Sequence, residues 1–180
     1  MKHLGPIKIT LLKEGDYGGL FPPLTAPEYA DLRESVKNTG VVKNLVVEKA
    51  RDGYVIVSGH ALKAIAEELG MKKVPCSLAE TYEEIAEALV DKSRLVKAAR
   101  RHGPLNAVYD EDGLYRAARF AIFTALKQYR AAGGMPMSCS AYLSWSLWDV
   151  LMHARVDAAL KRLRAARREA RKAGTTREVI

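Results

Sequence analysis

The sequence predicts an α+β fold, a small mixed sheet carrying helices, followed by a helical and basic C-terminal region. Three observations predict it. Two short β-rich runs, Leu45-Val46-Val47-Glu48 and Tyr54-Val55-Ile56-Val57, flank an Asp52-Gly53 turn signal. The second run passes through Ser58-Gly59 directly into helical periodicity at His60. The charge is also divided. Residues 1–100 hold 15 Lys/Arg against 14 Asp/Glu, whereas residues 101–180 hold 14 against 7, out of a total net charge of +8.

Taken in order, Ile7-Lys8-Ile9-Thr10-Leu11 alternates and predicts a first or edge strand. Gly15, Gly18, Gly19, Pro22 and Pro23 mark a loop. Thr25-Ala26-Pro27-Glu28 fits a capping box, in which the Thr25 hydroxyl accepts the Glu28 N–H and the Glu28 carboxylate reaches back. Tyr29, Leu32 and Val36 then share one helix face, and Gly40 fits the position past its end. After the hairpin, the helix from His60 to Leu69 buries Leu62, Ile65, Ala66 and Leu69 and stops at Gly70. Val74 to Leu78 reads as a short strand, which Pro75 assigns to an edge. Thr81-Tyr82-Glu83-Glu84 is a second capping box, opening a helix expected to run to about Arg100. Leu114 to about Ala131 is helical, Gly133-Gly134-Met135-Pro136 breaks it, and a last helix begins near Ala141, capped by Ser138 or Ser140. The expected organisation is a domain at 1–103, a linker at 104–113 and a helical basic region at 114–180.

Composition narrows the function classes. No run of about 18 apolar residues occurs, so no membrane span is expected. The start lacks an apolar signal core, which predicts a cytoplasmic protein. Cys76 and Cys139 lie far apart and outside any Cys/His cluster, so two reduced, buried thiols are expected rather than a metal site or disulfide.

Residues 20–102 resemble the N-terminal domain of the ParB/sulfiredoxin superfamily. The resemblance rests on order and spacing. Phe21-Pro22-Pro23-Leu24 precedes a helix containing Leu32-Arg33-Glu34-Ser35-Val36, and Gly40-Val41 is followed by Leu45-Val46-Val47. Tyr54-Val55-Ile56-Val57-Ser58-Gly59-His60 runs into a helix, and Leu69-Gly70 precedes Val74-Pro75. In that family the glycine turn is usually followed by arginines that help hold the phosphates of a nucleotide such as CTP. Here the aligned arginine positions hold Leu62 and Ala64. Leucine and alanine cannot make the bidentate pair that suits arginine to phosphate, so no cofactor is expected and CTP or ATP should bind weakly or not at all. Sulfiredoxin chemistry uses a cysteine in this turn, and the turn has none.

Two groups of candidate site residues follow. Ser58, Gly59, His60 and Lys63 form the candidate phosphate site, because a helix starting on a glycine offers unpaired N–H groups and a positive dipole end. The competing reading is a tight turn capped by Ser58 or His60. Glu28 and Glu34 are weak candidates for catalytic carboxylates, since Glu28 already has a capping role. The candidate DNA contacts are Lys97, Arg100 and Arg101 at the end of the second capped helix, and Lys161, Arg162, Arg164, Arg167, Arg168, Arg171 and Lys172 near the C-terminus. The block 161–172 carries seven cations and one acid, a net of +6. Such a helix can track phosphates; a solvated C-terminal helix is the plainer alternative.

Tyr142, Trp145 and Trp148 are expected to pack, together with Leu151, against the Leu114–Ala131 helix or across a dimer rather than to stack on bases. The expected function is DNA binding of the partition or plasmid/phage regulatory kind, nucleoid- or plasmid-associated, with double-stranded DNA and a second copy as partners. The alternatives are a small nucleotide-dependent enzyme, a kinase or NTPase, and an oligomerising interaction module that binds neither nucleotide nor DNA.

Overall fold

The computed structural model describes residues 1–41, 43–101, 110–133 and 135–172; within its helices the side chains of 101, 154–163, 167 and 170–172 lie outside the description. The fold is α+β. Its elements are β1 (Lys2–Lys8), β2 (Leu12–Lys13), α1 (Ala26–Thr39), β3 (Leu45–Ala50), β4 (Gly53–Ser58), α2 (His60–Glu68), β5 (Lys73–Leu78), α3 (Tyr82–Leu89), α4 (Lys92–Arg101), α5 (Glu111–Ala131) and α6 (Cys139–Lys172). The five strands form one mixed sheet in the order β1-β5-β3-β4-β2.

The hairpin forms where the turn signal predicts it. Ala50 pairs with Gly53, leaving Arg51-Asp52 as the loop. Gly53 sits at φ +123°, and a Cβ there would lie 2.5 Å from the Leu11 carbonyl oxygen. β2 therefore runs alongside β4 only because residue 53 has no side chain.

The predicted strand over Ile7–Leu11 is corrected. β1 starts at Lys2 and ends at Lys8, and Ile9–Leu11 form a 3₁₀ turn instead. β1 and β2 lie on opposite edges of the sheet, so the chain must cross between them here. Lys8 to Leu12 can span at most about 14 Å. The edges of a flat five-stranded sheet stand about 19 Å apart. The sheet must therefore curl, which brings its two edges within reach of this short turn.

Pro75 also needs correction, because β5 lies inside the sheet between β1 and β3. Pro75 faces Pro6 of β1, and the β3 ladder begins one residue later, at Cys76 opposite Leu45. Two prolines facing each other have no N–H to exchange, so this position removes no donor that a neighbour requires.

The expected single helix over residues 81–100 is two helices. The chain breaks at Val90-Asp91, and the Arg94 N–H donates to the Asp91 carboxylate at 2.9 Å. Asp91 is thus a cap for α4 that apolar periodicity alone conceals. The second capping box is half formed. The Glu84 N–H donates to the Thr81 hydroxyl at 3.2 Å, but the Glu84 carboxylate accepts from the Glu80 N–H and from the chain's amino terminus. The first box is complete.

The sheet's two faces bury against different partners. Leu45, Val47 and Ile56 pack with Ala66, Val74 and Cys76 under α2. Val57 joins the other cluster, with Ile85, Leu95, Leu114, Ile122, Leu126, Leu143 and Leu147. The alternation of Ile56 and Val57 between clusters is the period-2 pattern of a strand buried on both sides. Each fully buried Leu, Ile or Val contributes about 1.5–3 kcal/mol. Helix α5 starts at Glu111, three residues before the predicted position, because Asp110 accepts the Gly113 N–H at 2.6 Å. Most of the predicted 104–113 linker lies outside the described residues.

Among the described residues no helix is long and apolar enough to cross a membrane. Both cysteines are free and buried, and burial pushes each thiol up to about 11.

Candidate functional site

The β4–α2 turn lines a cleft of about 690 Å³. Loop residues Tyr17 to Leu20, Phe21, the inner face of α1 and the start of α4 enclose the rest. The α1 residues Tyr29 and Leu32 are only half-buried because their predicted apolar face borders this space. The volume falls within the range of small-molecule sites.

Gly59 builds the turn. It holds φ +106° and ψ 19° at the N-cap of α2, and a Cβ there would meet Leu45 Cγ at 2.9 Å. No side chain caps this helix, contrary to the reading in which Ser58 or His60 would do so. Ser58, Gly59, His60 and Ala61 all line the cleft, so the first turn of α2 borders it with no capping side chain.

The side chains do not add a matching positive field. Leu62 lines the cleft, so one of the positions where the related turns carry arginine is an apolar wall here. Lys63 is outside the lining and is held by two carboxylates, Glu14 at 2.9 Å and Glu67 at 3.1 Å. The hydrogen bond that Lys63 donates to Glu14 holds its ammonium above the usual lysine range. His60 Nε2 is buried without a hydrogen-bond partner among the described residues and lies 3.6 Å from Glu14. Burial pushes the His60 pKa down against the opposing pull of Glu14, which favours the neutral ring.

The other charged groups of the lining are Lys43, Asp91 and Arg94. Asp91 caps α4, while Arg94 donates to the Pro22 carbonyl and stands 5.3 Å from the Phe21 ring centroid. Of the weaker carboxylate candidates, Glu28 is in its capping box and Glu34 is exposed on α1.

The structure places the candidate DNA contacts in two different situations. On α4, Lys97 pairs with Glu28 at 3.0 Å and Arg100 pairs with Glu111 at 2.8 Å. Arg101 ends the helix, and its side chain lies outside the described residues. On α6 the block 161–172 is helical to its end. Arg164 and Arg168 are exposed, and the side chains of Lys161, Arg162, Arg167, Arg171 and Lys172 lie outside the described residues.

Sequence reasoning missed the clamp that holds α6. Asp16 accepts the Cys139 N–H at 2.6 Å and the Ser140 hydroxyl at 2.7 Å, so α6 begins at Cys139. Ser138 accepts the Ala141 N–H at 3.2 Å. Beside this clamp, Tyr17 donates to Glu48 at 2.8 Å, and Arg130 of α5 bonds both the Tyr17 hydroxyl and Glu48. Burial, reinforced by Glu48, raises the Tyr17 pKa far above its ordinary value. Asp16 lies 123 residues from Cys139, and Glu48 lies 82 residues from Arg130, separations at which no local pattern carries a signal.

Trp145 and Trp148 are 65% and 46% exposed, whereas Leu151 is buried. Of the two expected packing modes, only Leu151 follows the first, against α5; the indoles remain on the surface of the chain.

Residues 2–92 match the family described as the ParB N-terminal domain. No curated protein sequence matches the chain significantly. Among solved structures, the chain is similar to a C-terminally truncated chromosome-partitioning protein ParB from Caulobacter crescentus, complexed with CTP-gamma-S. The identity is 17%, covering 84% of this chain and 97% of that one, with a TM-score of 0.37. A Pnob8-like ParB-N domain is 20% identical over 81% of this chain and 69% of its own, with a TM-score of 0.41. A free serine kinase in complex with AMP is 16% identical over 76% of this chain and 66% of its own, with a TM-score of 0.35.

Proposed function

The chain belongs to the ParB N-terminal domain family, and from that premise we propose that it is a DNA-binding protein of the partition or plasmid/phage regulatory kind, gripping duplex DNA mainly through backbone phosphates. The observation that carries this reading is the end of α6. Seven Lys/Arg and one Glu occupy 161–172, and Leu151 is the last residue of the helix that is buried among the described residues. Cations at that density on a helix that runs past its described packing are neutralised most favourably by a polyanion.

In this reading Arg164, Arg167, Arg168 and Arg171 follow the phosphates and supply affinity without base readout. Lys97 and Arg100 contribute less, because each must leave a carboxylate to reach DNA. The cleft at Gly59 is a structural heir of a nucleotide site with weak or no affinity for CTP or ATP; a small nucleotide-dependent enzyme is the alternative reading. It acts inside the cell, associated with nucleoid or plasmid.

The test is a titration with duplex DNA across a salt series, for the full chain and for a variant with all four of these arginines changed to Gln. Each lost phosphate contact lowers the log–log salt slope by about 0.9, so the variant's slope should fall by about 3–4. An unchanged slope removes this helix from the interface.

A further inference from the structure

Helix α1 is set apart by what its apolar face meets. Among the described residues of this 14-residue helix only Val36 is buried. Tyr29, Leu32 and Val36 all line the cleft of about 690 Å³, and none of them belongs to either core cluster of the sheet. The polar contacts that hold α1 run along its rim. The Tyr29 hydroxyl donates to Glu68 of α2 at 2.7 Å, Arg33 reaches the same carboxylate at 3.2 Å, and Lys97 of α4 reaches Glu28 at 3.0 Å. All three contacts are exposed, and exposed pairs of this kind contribute little to stability. Helix α1 thus bridges from α2 to α4 and turns its apolar face to the cleft instead of to the core.

The facing walls are of the same kind. Leu20 and Phe21 of the loop, Leu62 of α2 and Leu89 of α3 line them. The charged groups are few and mostly committed. Asp91 caps α4, Arg94 donates to the Pro22 carbonyl and stands over the Phe21 ring, and Lys43 is left exposed. His60 is held toward its neutral form by burial. The first turn of α2 adds N–H donors that no side chain caps. A polyanion in this space would set its charge against Leu62 with one uncommitted cation to offset it, and a charge against an apolar wall is costly. An uncharged molecule with an apolar body meets the same walls favourably, and one acceptor on it suits the donors of α2.

We propose that the cleft is a binding site for an uncharged, mostly apolar small molecule, with an aromatic or branched aliphatic body lying under α1 and a single hydrogen-bond acceptor directed at the first turn of α2. The ligand completes the packing of α1, which the protein's own core leaves to one buried residue. Leu62 is then a specificity residue: it favours an apolar body at a position where arginine would favour phosphate.

The full chain tests the site with the neutral fluorophore N-phenyl-1-naphthylamine, which brightens in apolar surroundings. Saturable binding of one probe per chain is expected at micromolar concentration. Leu62→Arg places a charge in the wall and Leu32→Trp fills the space under α1, so each should weaken binding by about tenfold or more. Far-UV circular dichroism and urea midpoints check that both variants fold, and Leu32→Trp, at a half-buried position, carries the test alone where Leu62→Arg does not fold. Hydrogen exchange in α1 should slow when the probe binds, while α5 stays unchanged. The absence of saturable binding at tens of micromolar overturns the site. Equal affinity in wild type and both folded variants places the probe elsewhere and also overturns it. Displacement of the probe by micromolar CTP or ATP with magnesium overturns the ligand class and returns the cleft to nucleotides. The site stands or falls independently of DNA affinity, which the salt series measures separately.

Discussion

Around Gly59, most cations have protein partners. Lys63 lies between Glu14 and Glu67, Lys97 reaches Glu28, Arg33 reaches Glu68, and Arg94 bonds a carbonyl. On the last turns of α6 the proportions are reversed, with seven cations sharing one local acid. The first region matches most of its charges internally, with Lys43 of the cleft lining the exception, so its cleft carries little of the excess positive charge that would draw in a triphosphate. The second region has charge that nothing in its own helix can neutralise. The lesson is that shape and charge separate in this chain: the turn that looks most like a site is the less electrostatically prepared of the two.

The largest expected effect breaks this contrast. Leu62→Arg combined with Ala64→Arg returns two cations to the positions aligned with family arginines. Charge-assisted contacts are worth about 1.5–3 kcal/mol each and tenfold corresponds to about 1.4 kcal/mol, so the pair should raise CTP or ATP affinity by about a hundredfold or more. Calorimetric titration with magnesium present checks it. For the wild-type chain the same titration should show weak binding or none. Micromolar wild-type binding that His60→Ala abolishes would instead promote the nucleotide-enzyme reading.

A smaller effect sharpens the claim that the turn is scaffold. Gly59→Ala forces a side chain into φ +106° and against Leu45 Cγ at 2.9 Å. A strained backbone of this kind costs about 1–3 kcal/mol, so the urea midpoint should fall by the corresponding amount even with no ligand present. A midpoint identical to wild type would mean that Gly59 is retained for something other than geometry.

The clamp on α6 comes next. Asp16→Ala removes the carboxylate that accepts the Cys139 N–H and the Ser140 hydroxyl. Loss of a cap typically costs about 1 kcal/mol. Hydrogen exchange should quicken in the first turn of α6 and leave α1 unchanged, because α1 depends on its own box.

What the sequence made legible was local. Thr25 and Glu28 three residues apart, Asp52-Gly53 between β-branched runs, and the strand–glycine–helix step each contain their whole signal within a few residues, and each forms. The misreadings arose where a cap is hidden inside an apolar period or where a distant partner decides. Asp91 interrupts an apolar period that otherwise reads straight through, so one predicted helix became α3 and α4. Pro75 lies inside the sheet because Pro6, some 70 residues away, faces it. The candidate site divides the same way. Ser58, Gly59, His60 and Leu62 reach one cleft as their spacing implies, but the engagement of Lys63 by Glu14 and the anchoring of α6 by Asp16 depend on a loop whose sequence shows only glycines and turns.

The smallest effect tests whether the first region's internal pairing contributes to its stability. Glu28 accepts from the Thr25 backbone and hydroxyl and pairs with Lys97, which together hold its carboxyl down at about 2 against an ordinary 4.5. The Thr25 backbone hydrogen bond is the largest cause, followed by Lys97. A carboxyl depressed in the folded state adds stability that is fully present above its unfolded value and disappears as the proton binds. The contribution should therefore be present at pH 5 and fade as pH falls from 4.5 to about 2. Glu28 is fully exposed, so salt and solvent screen the effect and it should be modest. Thr25→Ala removes the hydroxyl but keeps the backbone donor, so it should flatten this acid limb only in part, whereas Glu28→Gln should flatten it fully. Denaturation midpoints of the three proteins between pH 2 and 5 decide the matter. Parallel curves would show that the box sets where α1 starts but adds nothing to stability through its charge.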